Sequence, residues 1–146
     1  MDAKRTVAAV VVGAAVIYGL GWLLFQKLLG GFYAANAGSA TGVMRETPIM
    51  WALAVGAIGY AYLIVYTMRF RPGAGSAGQG FMVGAAVGFL LWFTVDFTFY
   101  GFSNINNMTV TLVDPLVELV RGGIGGAVIA AVRGGGNRGG AGAPMA

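Results

Sequence analysis

The chain has 146 residues, of which 58% are hydrophobic and 10% charged, against about 25% charged residues in ordinary globular domains. That balance excludes a disordered chain and argues against a water-soluble domain, and the length suits one compact unit without a separate catalytic domain. There is no cysteine and no histidine, which excludes disulfides, thiolate metal sites, cysteine nucleophiles and imidazole chemistry.

A bilayer-crossing helix needs about 20 mostly apolar residues, and four runs qualify, so the sequence predicts an all-α, four-helix integral membrane bundle. The first run predicts a helix over 7–29, uncharged until Lys27. It is longer than the roughly 7–15 apolar residues of a secretory signal. It therefore reads as an uncleaved first span, with cleavage near Ala34–Ala40 as the lesser alternative. The connection Gly30–Pro48 is the longest and carries Arg45 and Glu46. The second span is expected over 49–68 and has no charge. The link Arg69–Gly80 reads as flexible. The third span, 81–102, holds one charge, Asp96, and the short turn after it predicts an antiparallel hairpin with the fourth span, 109–132. Asp114, Glu118 and Arg121 lie in that fourth span. The apolar stretch after Arg121 is too short to cross alone, so the charged part has to enter the bilayer or the segment is re-entrant. The tail 134–146 is glycine-rich and basic without interleaved aromatics, and reads as a flexible, solvated segment rather than an RNA-binding one.

Net charge is +4. The basic residues edge the apolar runs, which fits anionic lipid headgroups and no nucleic acid. Lys4, Arg5, Arg69, Arg71, Arg133 and Arg138 fall on one side of a four-span arrangement, and only Lys27 and Arg45 on the other. The excess of lysine and arginine predicts that both termini are cytoplasmic. Gly80, Gly84 and Gly88 recur at helical spacing, as do Gly122 and Gly126. Such faces let helices approach closely in lipid, either within one bundle or in a homo-oligomer or larger membrane complex.

The informative residues are the charges inside the spans. A charge at the bilayer centre costs roughly 2.5–3.5 kcal/mol on insertion scales, so it generally faces the bundle interior and finds partners. The hairpin turn centres near Ile105, and Asp96 and Asp114 are each nine residues from it. The two carboxylates are therefore expected at one depth. Asp114, Glu118 and Arg121 share one helix face, and Glu118 and Arg121 can pair directly. Thr98, Asn107, Thr94, Asn104, Asn106 and Thr111 add polar groups nearby. Lys27 or Arg45 is placed to reach the acidic layer, and Pro115 removes a backbone donor beside Asp114. One interpretation makes this layer a buried network that orders the helices, with Glu118–Arg121 its structural pair. The other makes Asp96 and Asp114 a pair that shares a proton or cation, with Thr98 and Asn107 in support.

Trp22, Trp51, Phe32 and Tyr33 sit where an interfacial aromatic belt is expected. Tyr60, Tyr62 and Tyr66 read mainly as packing residues, and Trp92 is level with Glu118, to which its N–H could donate. No Walker loop, HExxH or Rossmann fingerprint is present. An aspartyl dyad can activate water, but the Gly-x-Gly-Asp-type motif of intramembrane aspartyl proteases is absent. No catalytic residue, cofactor or metal is expected.

Asp96-Phe-Thr98 with Thr111-Leu-Val-Asp114, the second aspartate eighteen residues after the first, resembles a family of small four-helix bacterial inner-membrane proteins known only as predicted membrane domains of unknown function. Trp22, Phe32-Tyr33, Pro48 and Tyr60 fit the same resemblance, which covers most of the membrane region and excludes the tail. The family pattern continues after the second aspartate with a small residue and Trp-Gly; here Pro115, Glu118 and Arg121 occupy that stretch. The resemblance implies the fold and a bacterial inner-membrane location, and no reaction. The expected function is an intramembrane acidic site for a proton, a cation or a small cationic solute. The alternative is a non-catalytic accessory or assembly subunit of a larger membrane complex.

Overall fold

A computed structural model describes residues 3–71 and 75–134. The chain runs α1 (Ala3–Gly21), a π-helical stretch (Trp22–Leu28), a short α2 (Gly30–Ala35), α3 (Met50–Met68), α4 (Ala77–Phe102) and α5 (Met108–Gly134). Four helices are long and apolar enough to cross a membrane: Ala3–Leu28, Met50–Met68, Ala77–Phe102 and Met108–Gly134. The described residues contain no strand beyond one isolated bridge, Ala37 to Asn106. The expected tail lies almost wholly outside the described residues, as does the middle of the link Arg69–Gly80.

Three element boundaries differ from the sequence expectation. α4 starts four residues early, because the Ser76 side chain caps it by accepting from the Gln79 N–H at 3.3 Å. The first span starts at Ala3 and does not stay α-helical. From Trp22 it widens, and the Leu29 N–H reaches back to the Leu24 carbonyl at 2.8 Å. The third difference lies in the connection expected over Gly30–Pro48, which opens with α2. Its continuation is pinned to the α4–α5 turn, where the Gly38 N–H bonds Ile105 O at 2.8 Å and the Ala40 N–H bonds Asn104 O at 3.0 Å. This segment lies across the turn end of the α4–α5 hairpin.

The hairpin is built on glycine. A Cβ on Gly80, Gly84 or Gly88 would run into the backbone carbonyls of Gly126, Gly122 and Glu118. The expected small-residue faces therefore meet each other within the chain, where bare backbone allows the closest approach. α1 joins by the same device, with Gly13 against Ile129 and Gly125 against Ile17. The apolar core of Ala9, Ile17, Ala61, Ile64, Val65 and Ile129 fills the space between α1, α3 and α5. Large apolar side chains such as Leu90, Phe102, Leu112 and Leu116 are exposed instead. In water that surface would be a liability, and against acyl chains it is the favourable one.

Candidate functional site

The glycine pairs set the register of the hairpin. Gly80 faces Gly126, Gly84 faces Gly122, and Gly88 faces Glu118. Continued by two turns, that register puts Asp96 level with Val110, one turn nearer the bend than Asp114. The equal-depth expectation is thus off by about a turn for the backbones. The side chains nevertheless lean toward each other, and the two carboxyls are close enough to interact electrostatically. Helical side chains lean toward their own N-terminus. The two helices are antiparallel, so Asp96 leans away from the bend and Asp114 toward it.

The pair is enclosed. Asp96 is 4% exposed, Asp114 6% and Glu118 0%. The Tyr33 hydroxyl donates to Asp114 Oδ1 from α2. Burial, and then the Asp114 carboxylate beside it, push Tyr33 ionisation well above its ordinary value. Its ring is held edge-on by Phe25 at 5.2 Å and Phe32 at 5.5 Å. Asp96 Oδ2 is buried and has no hydrogen-bond partner.

Below this pair lies the ion pair that the sequence predicted. Arg121 Nη1 donates to Glu118 Oε1 at 2.6 Å. The guanidinium lies between the rings of Phe25 and Tyr60, 5.5 Å from each centroid. Gly21 on α1 lies beside it, where a Cβ would be in ordinary contact at 3.5 Å from the guanidinium carbon. The Tyr60 hydroxyl donates to the Glu118 backbone carbonyl at 3.4 Å, in a notch left by Gly88 and Gly122. Tyr60 is thus buried in the polar layer, whereas Tyr62 and Tyr66 are exposed.

Other expected members stand apart. Thr98 is exposed, and its hydroxyl donates to the Thr94 carbonyl at 2.6 Å. Two residues along a helix is about 200° of rotation, which turns Thr98 away from the face of Asp96. Asn107 caps α5 by accepting from the Val110 N–H at 3.0 Å, and its amide donates to Asn36 at 3.3 Å. It ties the covering segment to the hairpin and holds no place in the acidic pair. Thr111 is buried and bonds the Asn107 carbonyl at 3.0 Å. Lys27 and Arg45 are exposed. The Lys27 ammonium lies 5.0 Å over the Trp22 ring, because the π-helical stretch turns it outward. Trp92 Nε1 is buried without a partner, so the proposed bond to Glu118 is not formed. Tyr33, read from sequence as a belt aromatic, is the residue that touches the aspartate.

Comparison with protein-family models, with curated proteins and with solved structures found no match.

Proposed function

We propose that this chain is a multi-pass protein of a bacterial inner membrane, with both termini cytoplasmic, whose Asp96–Asp114 pair binds and exchanges a proton within the bilayer. The observation that carries this reading is the burial of two neighbouring carboxyls, one on α4 and one on α5. Two carboxyls buried side by side hold a proton between them more readily than two charges, as in aspartyl dyads elsewhere. With both groups at most 6% exposed, the pair suits a bare proton better than a hydrated cation or a small cationic solute. Glu118–Arg121 supports it as an internally matched pair. The cost of keeping these groups in lipid favours a functional assignment. The alternative, an accessory or assembly subunit of a larger membrane complex, keeps the small size and absent cofactor motifs in its favour, but the α4 and α5 glycine faces are occupied within the chain.

The test is reconstitution of the full chain in vesicles loaded with a pH-sensitive dye, with a potassium-diffusion potential as driving force. Proton uptake that is abolished in Asp96→Asn supports the reading. Uptake equal to that of protein-free vesicles, or uptake unchanged in Asp96→Asn, overturns it. Flux of sodium or of a small organic cation in place of protons would move the assignment to those solutes.

A further inference from the structure

A second site lies on the far side of Arg121. A cleft of about 430 Å³ opens between α1 with its π-helical end, the start of α3, and α5. That volume falls within the roughly 300–1,000 Å³ of small-molecule sites. Its walls include Tyr18, Trp22, Phe25 and Leu53, and its polar groups include the Gln26 amide and the Arg121 guanidinium. Trp22 and Leu53 are about half exposed on the apolar flank of the bundle, Trp22 at 51% and Leu53 at 53%. In a bilayer the cleft therefore opens sideways to acyl chains.

The chemistry of Arg121 selects the occupant. Its charge is already matched, since Nη1 pairs with Glu118 and the guanidinium also attracts Asp114. Two carboxyl groups, Asp114 and Glu118, share that guanidinium, and they would repel a further anion. Among the described residues the guanidinium's hydrogen bond runs from Nη1 to Glu118, and the side chain, 13% exposed, lines the cleft. A neutral oxygen supplies an acceptor without adding charge. We propose that this cleft holds one neutral long-chain lipid, with its carbonyl or ester oxygen accepting from Arg121 and its chain lying along Tyr18, Trp22 and Leu53. The inference rests on the bilayer-spanning arrangement and not on proton exchange at the aspartates.

The test is native mass spectrometry of the full chain in detergent, titrated with 1-oleoylglycerol or with oleate. The expected result is a single, saturable oleoylglycerol adduct, with oleate bound at least tenfold more weakly. Leu53→Trp and Met50→Trp, which fill the cleft from exposed wall positions, lower oleoylglycerol occupancy at least tenfold. Leu112→Trp, on an exposed flank outside the cleft, leaves it unchanged. Arg121→Lys keeps the charge but loses the planar fork, and is expected to weaken the adduct several-fold. Equal or tighter binding of oleate, non-saturating adducts, or occupancy insensitive to both wall variants would overturn the proposal. Proton uptake can survive any of these outcomes, so the two readings fail separately.

Discussion

Tyr33 donates its hydroxyl proton to Asp114, 81 positions further along the chain. The contact joins the segment after the first span to the middle of the hairpin, and it decides which side the acidic pair is closed from. Loss of the hydroxyl in Tyr33→Phe leaves the ring contacts with Phe25 and Phe32 in place. The expected cost is about 1.5–3 kcal/mol, the range for a hydrogen bond to a charged group, read as a lower midpoint of thermal unfolding in detergent.

The same contact has a signature at alkaline pH. Burial and the Asp114 carboxylate raise the ionisation of Tyr33 above its ordinary value of 10.0. Above pH 10 the unfolded chain therefore loses this proton before the folded one does. The stabilisation is fully present below pH 10 and declines as pH rises beyond it. The difference in unfolding midpoint between wild type and Tyr33→Phe should be constant from pH 7 to 9 and shrink above pH 10. A difference that grows above pH 10 would contradict this assignment.

Glu118 and Arg121 make a matched buried pair, so single and double substitutions should behave very differently. Glu118→Gln or Arg121→Met leaves one group without its partner, at a cost of about 3–5 kcal/mol. The double variant Glu118→Met with Arg121→Met removes both and should recover much of that loss. A double-variant cycle on unfolding midpoints checks this. Additive losses would mean that each residue answers to other partners.

The hairpin depends on bare backbone at particular glycines. Gly84→Ala places a Cβ against the Gly122 carbonyl and should destabilise by about 1–3 kcal/mol or more, the usual range for overpacking. Gly59→Ala meets nothing within 4 Å and should be neutral or mildly stabilising through helix propensity. Yields of monodisperse protein and unfolding midpoints of the two variants compare the positions directly.

Much of this site can be read from the sequence, and the rest fails for identifiable reasons. Counting outward from the bend brings Asp96 and Asp114 to within about a turn of one depth, and the opposite lean of the two side chains, which counting does not show, closes the remainder. Glu118 and Arg121 are found by their spacing. Tyr33 escapes because hydrophobic pattern does not distinguish a π-helical turn, here Trp22–Leu28, from an α-helical one. That turn, followed by α2, is what swings Tyr33 over Asp114. Thr98 is near in sequence but on the opposite side of α4. Asn107 stands where a polar site residue is plausible, yet an asparagine just before a helix is equally a cap. The central claim concerns Asp96 and Asp114 together, and a proton between carboxyls has its own vibrational band.

The most direct measurement is infrared spectroscopy of the protein in lipid at neutral pH, in the carbonyl-stretch region of protonated carboxyl groups. A protonated, hydrogen-bonded carboxyl band is expected in wild type, disappearing in Asp96→Asn and shifting in Tyr33→Phe. Absence of the band in wild type, or its persistence unchanged in Asp96→Asn, would contradict a proton held between Asp96 and Asp114.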